Sequence, residues 1–192
     1  MRCLLVTLGK DAPGVNAVIR SGTRLALRQG MEVFGARRGF QGILDNKYLR
    51  MREADVGSVL GRGGSMLGSS DFRLLPSDRA TLGRMALSLK QFDLVVATGG
   101  LGSFAILNKL YTEHDVGMAT TMFVPASVEN EFINSAAAAG KPDAPAAGLV
   151  HAEAVGADTA ANTAIEAIDR LREQSYLSRT VFLVECAGLK SN

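Results

Sequence analysis

Short apolar runs alternate along this chain with longer stretches in which apolar residues recur at helical spacing. The short runs, rich in apolar and β-branched residues, predict strands over residues 3–7, 31–36, 93–98, 120–124 and 180–185. The longer stretches predict amphipathic helices over residues 15–29, 77–89, 103–110 and 158–171. Strands that alternate with helices are typical of an α/β fold, so we expect a parallel sheet with helices on both faces.

Glycine and capping residues predict where these elements end. Gly30 fits the stop of the first helix, and Ser77, Ser103 and Asp158 are suitable residues to cap the later ones. The segments 37–42 and 61–70 carry several glycines and predict loops. Residues 135–156 are rich in alanine with scattered glycine and proline, which predicts a loop or hinge.

The strand at residues 93–98 runs into a glycine loop, Gly99, Gly100 and Gly102, before the helix predicted from Ser103. Such a turn lets backbone N–H groups and the positive end of a helix face a phosphate. The alternative is a tight turn that needs glycine only for its backbone dihedrals. Ligands of parallel sheets bind beyond the carboxyl ends of the strands, so the loops after residues 7, 36, 98 and 124 predict one binding edge.

Three charged residues in these loops suit phosphoryl transfer. The reaction needs a cation near the phosphate and a base or orienting group on the attacking hydroxyl. Lys10 offers the cation, while Glu129 and Glu131 offer a base and a ligand for magnesium. The alternative is that all three are solvated surface charges, which is the commonest fate of such side chains.

Composition narrows the function classes. The chain has 192 residues, is 47% apolar and carries a net charge of +2, and no Lys/Arg run stands beside aromatic residues. Neither nucleic acid nor a membrane is therefore an expected partner. Cys3 and Cys186 each fall in a predicted strand and are expected to be buried, reduced thiols of a cytoplasmic protein. His114 and His151 are far apart and predict no zinc site.

Residues 7–20, Thr-Leu-Gly-Lys-Asp-Ala-Pro-Gly-Val-Asn-Ala-Val-Ile-Arg, resemble the opening of the 6-phosphofructokinases. Residues 39–42, 63–69, 99–103 and 124–131 match further motifs of that family in the same order. The resemblance runs from Leu4 to about Gly188 and implies a Rossmann-like domain. The family transfers a phosphoryl group from ATP, or from pyrophosphate in some members, to the 1-hydroxyl of fructose 6-phosphate with magnesium.

The resemblance implies a role for each matching residue. Glu129 falls on the catalytic base, and Glu131 falls on the second acid of the same motif, a catalytic and metal-binding position. The substrate-binding positions are Ser127, Glu129, Arg179 and Gly188. The nucleotide-binding positions are Gly9, Lys10, Asp71, Phe72, Gly99, Gly100, Gly102 and Ser103. The resemblance also implies an oligomer, and it divides the chain into an α/β domain over 1–134, a hinge over 135–156 and, over 157–192, the start of an incomplete second domain.

Four residues depart from the family pattern. Leu101 stands where catalytic members have an aspartate that works through magnesium, and Lys10 stands in place of a glycine. Asp71 replaces an arginine that faces phosphate, and Leu189 replaces a substrate-binding arginine. These changes favour a regulatory or catalytically weakened domain that binds a sugar phosphate or nucleotide. The alternatives are an active kinase that uses ATP and magnesium, represented by an incomplete chain, and a scaffold that binds no ligand.

Overall fold

The computed structural model describes residues 1–70, 78–132 and 153–186. Within these ranges the strands are β1 (Arg2–Leu8), β2 (Glu32–Ala36), β3 (Tyr48–Arg50), β4 (Leu94–Gly99) and β5 (Thr120–Pro125). The α-helices are α1 (Val15–Arg28), α2 (Phe40–Leu44), α3 (Arg79–Leu89), α4 (Leu101–Glu113) and α5 (Ala157–Ser178), and a 3₁₀ turn covers Glu53–Val56. None of the helices in these ranges is both long enough and apolar enough to cross a membrane.

The strands form one sheet in the order β3-β2-β1-β4-β5. The central strand β1 runs parallel to β2 and β4, and β5 runs parallel to β4. In the register, Cys3 pairs with Leu94 and Leu8 pairs with Gly99. The predicted α/β fold is confirmed, with one addition at the edge. The strand β3 is antiparallel to β2, and at only three residues it was too short to predict from its apolar pattern.

The side chains of β1 alternate between two cores, because successive residues of a strand point to opposite faces of the sheet. On one face, Leu4, Val6 and Leu8 pack among the buried side chains of α3 and α4. On the other face, Cys3 and Leu5 pack against the buried side of α1. The sheet therefore has helices on both faces, as the apolar runs predicted.

Some predicted boundaries are wrong by a few residues. A short helix, α2, begins inside the predicted loop 37–42. The helix α4 begins at Leu101 after Gly100, so Ser103 lies in its first turn and is not its cap.

Two further caps also differ from the predicted ones. The cap of α3 is Asp78, whose Oδ1 accepts hydrogen bonds of 3.0 Å from the N–H groups of Ala80 and Thr81. Gly156, not Asp158, precedes α5 as its N-cap. Ser77 lies outside the described residues.

The last predicted strand, residues 180–185, is not a strand in the structure. Val181 is 94% exposed, and no strand in the described ranges pairs with this segment. An apolar run becomes a strand only where a neighbour accepts its backbone hydrogen bonds, and the run alone does not supply that neighbour. Cys186, predicted to be buried, is exposed for the same reason, whereas Cys3 is buried as predicted.

The helix α5 has the predicted apolar face but does not bury it. Its apolar residues at helical spacing include Ile165 and Ile168, and both are exposed. Ala157, at the start of the helix, is its only buried residue. Of the predicted hinge at 135–156, only residues 153–156 lie in the described ranges. There, Val155 forms a parallel bridge with Ala126.

Candidate functional site

The loops that follow β1, β4 and β5 meet at the carboxyl edge of the sheet. The backbone N–H of Ala126, just after β5, donates to the carbonyl oxygen of Gly99 at 2.9 Å. Gly9, just after β1, has φ +80°, and a Cβ built on it would lie 2.6 Å from the Ser103 Oγ. Only glycine allows so close an approach in the left-handed region. Three loops far apart in sequence therefore form one surface.

The N-terminus of α4 faces a carboxylate from the loop after β5. The N–H of Leu101, the first residue of α4, donates to Glu131 Oε1 at 3.0 Å. The other carboxylate oxygen of Glu131 accepts from the Ser127 hydroxyl. A Cβ on Gly100 would lie 2.6 Å from Glu131 Oε1, so the carboxylate rests against bare backbone. The structure thus joins Glu131, Ser127 and the glycine loop.

The second glutamate of this loop is paired with the loop after β1. Lys10 Nζ lies 2.7 Å from Glu129 Oε1 in an ion pair that is partly open to solvent. The Glu129 N–H also donates to Ser127 Oγ at 3.1 Å. Glu129 therefore contacts both Lys10, from the loop after β1, and Ser127, from its own loop.

The loop after β5 is held in place by the segment before α5. Asn130 adopts a positive φ of 47°, and its Oδ1 accepts from the Ala154 N–H at 3.0 Å. Val155 N–H donates to the Pro125 carbonyl at 2.9 Å, and Ser127 N–H donates to the Val155 carbonyl at 3.1 Å. These bonds fix where Ser127 and the two glutamates stand relative to α4.

A further glycine-rich loop, residues 61–70, is anchored to β1 and α1 by polar groups whose role was not predicted from the sequence. Asn16 is buried, and its Nδ2 donates to the Arg62 carbonyl at 3.0 Å while its Oδ1 accepts from the Met66 N–H at 2.8 Å. The hydroxyls of Thr7 and Ser65 lie 2.8 Å apart. A polar residue on the apolar face of α1 was the signal in the sequence that could have identified Asn16.

Buried hydroxyls beside the glycine loop after β4 have no hydrogen-bond partner within the described part of the chain. Thr98 Oγ1, at the end of β4, and Ser103 Oγ, in the first turn of α4, have no hydrogen-bond partner among the described residues. A buried hydroxyl without a partner costs free energy, so such groups are expected where a ligand or solvent completes them. Both lie beside the glycine loop that was predicted to face a phosphate.

The remaining predicted site residues are not joined to this cluster by a hydrogen bond or ion pair of the described residues, or they lie outside the described ranges. Gly102 lies in the first turn of α4 with Ser103. Arg179 follows the end of α5 with φ 54°, is exposed, and makes no hydrogen bond or ion pair with the cluster within the described ranges. Asp71, Phe72 and Gly188 lie outside the described residues, as does Leu189.

The side chains of the cluster are a poor fit for a magnesium ion in this arrangement. Mg²⁺ needs oxygen ligands in near-octahedral geometry. Leu101 offers none, and both carboxylate oxygens of Glu131 already accept hydrogen bonds, from Leu101 N–H and from the Ser127 hydroxyl. Glu129 is engaged by the Lys10 ammonium, a cation that would repel the metal.

Comparisons with known proteins agree with the fold and with the family resemblance. The family model described as Phosphofructokinase matches residues 2–145. The ATP-dependent 6-phosphofructokinase of Coxiella burnetii is 31% identical over 194 residues, which cover 99% of this chain and 53% of that protein. The enzyme of the same name from Haemophilus influenzae strain PittEE is 34% identical over 186 residues, which cover 96% of this chain and 52% of that protein.

Solved structures show the same fold. The T-state phosphofructokinase of Pichia pastoris superposes with a TM-score of 0.72 at 20% identity, over 88% of this chain and 18% of that one. The phosphofructokinase of Saccharomyces cerevisiae gives a TM-score of 0.67 at 22% identity, over 91% of this chain and 24% of that one. The chain spans about half the length of the curated relatives that it matches. Because the family model matches well over half of the chain, residues 2–145, the chain belongs to the phosphofructokinase family.

Proposed function

We propose that this chain is a phosphofructokinase-family domain that binds a sugar phosphate or a nucleotide and transfers phosphoryl groups weakly or not at all. One observation carries the proposal. At the first residue of α4, beside Glu131, the chain places the hydrocarbon side chain of Leu101, where the family resemblance implies a carboxylate that works through magnesium. A hydrocarbon there can neither ligate a metal nor offset developing charge.

The contacts of the two glutamates support weakened catalysis. A base must be free to take the proton of the attacking hydroxyl, whereas Glu129 is held by Lys10 at 2.7 Å. Glu131 is committed to Leu101 N–H and to Ser127. Removing one preorganised electrostatic contact commonly costs about 3–4 kcal/mol of transition-state stabilisation. Two such losses at one site favour binding without efficient turnover.

The capacity to bind an anion is supported by the groups that remain. Backbone N–H groups of the glycine loop and the unused hydroxyls of Thr98 and Ser103 lie at the edge between β1 and β4, and Lys10, although paired with Glu129, is partly exposed to solvent. From the resemblance, Asp71, Phe72, Arg179 and Gly188 extend the proposed site. Residues 157–192 are proposed to begin a second domain, and the protein is proposed to be a cytoplasmic oligomer.

Calorimetric titration tests the binding half of the proposal. The purified chain is titrated separately with ATP plus magnesium, with fructose 6-phosphate and with fructose 2,6-bisphosphate. We expect heat of binding with at least one of them. The absence of binding heat with all three ligands would contradict the proposal and favour a scaffold that binds no ligand.

A coupled kinase assay tests the catalytic half. We expect turnover to be absent or slow in the natural chain, and to rise when Leu101→Asp is combined with Lys10→Gly, which restores the acid and frees Glu129. The matched control combines Leu87→Asp with Lys47→Gly, two exposed positions away from the cluster. Rapid turnover by the natural chain, unchanged by the paired substitutions, would show an active kinase instead.

A further inference from the structure

The N-terminus of α4 has no cap from its own residues. The N-cap is Gly100, which has no side chain, and the first turn carries no acidic residue. The positive end of a helix this long attracts an anion. The anion that it has is Glu131, a residue 30 positions further along the chain, whose Oε1 accepts the Leu101 N–H at 3.0 Å.

The Glu131 carboxylate fills the space in front of the helix. Its Oε1 lies 2.6 Å from where a Cβ on Gly100 would be, so no side chain could separate it from the backbone. Its other oxygen accepts from the Ser127 hydroxyl, which holds the carboxylate in this orientation. An anion with two oxygens thus sits where the glycine loop presents its backbone.

A second observation indicates that this place suits an anion with more oxygens than a carboxylate. Ser103 lies in the first turn of α4, is 1% exposed, and its Oγ has no partner among the described residues. That Oγ lies 2.6 Å from the Cβ position of Gly9, and the Gly100 nitrogen lies 4.0 Å from the same position. An unused hydroxyl therefore lies where the loops after β1 and β4 meet, in the same first turn of α4 whose Leu101 N–H is bound by Glu131.

We infer that Glu131 is an internal anion that occupies the phosphate position at the N-terminus of α4 and excludes a free phosphate from it. Two anions cannot share one set of donors, because like charges at contact distance repel strongly. A phosphate group enters only when the carboxylate withdraws. Glu131 therefore determines which ligands bind. It excludes small anions, and it admits a larger ligand only when the other contacts of that ligand with the protein favour displacement of the carboxylate. The identity of that ligand rests on the proposed function, whereas the competition between the Glu131 carboxylate and phosphate does not.

Rescue by inorganic phosphate tests the inference. In Glu131→Ala, α4 loses its cap, so we expect a lower Tm than in the natural chain. Phosphate should restore that Tm, and the variant should bind phosphate at least tenfold more tightly than the natural chain, measured by thermal melting and calorimetry. A variant whose Tm does not respond to phosphate would overturn the inference.

The matched control is Asp78→Ala, which removes the cap of α3. In the natural chain, α3 is capped by Asp78 from its own sequence, and its first residues are exposed rather than enclosed by other loops. We therefore expect phosphate not to restore the Tm of this variant. Equal rescue of both variants would show only general binding at open helix ends and would also overturn the inference.

A second variant keeps the test decisive if Glu131→Ala fails to fold. Glu131→Gln retains an oxygen that can accept from Leu101 N–H but removes the charge. We expect its Tm without phosphate to stay close to that of the natural chain, and its phosphate affinity to rise at least tenfold; unchanged affinity would overturn the inference. Binding of ATP or sugar phosphates by the natural chain is a separate readout, so failure of the proposed function is distinguishable from failure of this inference.

Discussion

At the scale of single residues, the contact between β1 and β4 depends on a glycine. Gly99 pairs with Leu8 in the register, and a Cβ on Gly99 would overlap the Leu8 carbonyl oxygen and lie 3.1 Å from its carbon. Both atoms belong to the backbone of the central strand, which has a neighbour on each side and cannot move away. The end of β4 therefore tolerates no side chain.

We expect Gly99→Ala to lower the free energy of unfolding by about 1–3 kcal/mol, the usual cost of forcing atoms into a packed interior. Urea denaturation measures it. The control is Gly63→Ala, where a Cβ would meet no atom within 4 Å, and its effect should stay within about 0.5 kcal/mol. Equal losses in the two variants would contradict the role given to Gly99.

The two cysteines should differ in reactivity. Burial raises the pKa of the Cys3 thiol to about 11, whereas Cys186 is exposed. Because the thiolate is the reactive form, a thiol reagent such as DTNB at pH 8 should modify one cysteine rapidly and the second only after denaturation. Cys186→Ser should abolish the rapid phase. A rapid phase that persists in this variant would show that Cys3 is accessible.

The residue types of the candidate site were predictable, but their contacts were not. Glu129 and Glu131 stood out as paired acids in a polar loop, and Gly99 and Gly100 as a break after an apolar run. That Lys10 meets Glu129, 119 positions away, follows only from β1 and β5 ending at the same edge of the sheet. Side-chain partners at such separation are a property of the fold and leave no local signal.

At the scale of elements, α3 shows how one cap sets the start of a helix. Hydrogen bonds from the backbone and then the hydroxyl of Thr81 hold the pKa of Asp78 below its ordinary value of 3.8. A lowered pKa in the folded state means that the ionised cap stabilises the folded protein at pH values above the ordinary aspartate pKa of 3.8. The stabilisation is lost as the pH falls through the lowered value.

We therefore expect Asp78→Ala to lower the Tm at pH 7, and the difference from the natural chain to narrow progressively as the pH falls below 3.8, the ordinary aspartate value. Melting curves between pH 7 and pH 2 measure the difference. Asp78→Asn, which keeps a capping oxygen but does not ionise there, is the control and should lose less Tm at pH 7. A difference that is independent of pH would contradict the ionised cap.

Elements with a strong periodic pattern were predicted, and short or unpartnered ones were not. Residues 31–36 and 120–124 became strands because each apolar run pairs with a parallel neighbour, β1 in the first case and β4 in the second. The helix α2 has five residues, with Gly39 before it and Gly42 inside it, so its pattern reads as a loop. Residues 180–185 have the composition of a strand but no paired neighbour among the described elements, and local sequence does not encode that difference.

At the scale of the whole molecule, the packed core of the described residues includes only the first residue of α5, Ala157. The sheet, α1 to α4 and the loops between them supply the buried apolar side chains of the two main clusters, while the face of α5 that carries Ile165 and Ile168 is exposed. The periodic pattern predicted this face correctly but could not say whether another surface covers it. Stability should therefore respond to substitutions in α4 and hardly at all to those in α5.

Leu110 in α4 is 1% exposed, and Ile168 in α5 is 43% exposed. We expect Leu110→Ala to cost about 2–5 kcal/mol of unfolding free energy, because it leaves a cavity in the core. Ile168→Ala should change it by no more than about 0.5 kcal/mol. Chemical denaturation of the two variants compares them directly, and a large loss in Ile168→Ala would place α5 in the core.

The central position of β1 has a consequence for synthesis of the chain. Cys3 pairs with Leu94, and Arg2 N–H donates to Asp93 Oδ2, a separation of 91 residues. At about 5–20 residues per second, a ribosome needs on the order of ten seconds to make the partner of the first strand. During that interval β1 can pair with β2 through the local β1–α1–β2 unit, but its face toward α3 and α4 stays uncovered. Because β1 is made about 91 residues before its partner in β4, one face of β1 is enclosed late, and we expect the nascent chain to be most prone to aggregation before residue 94 is made.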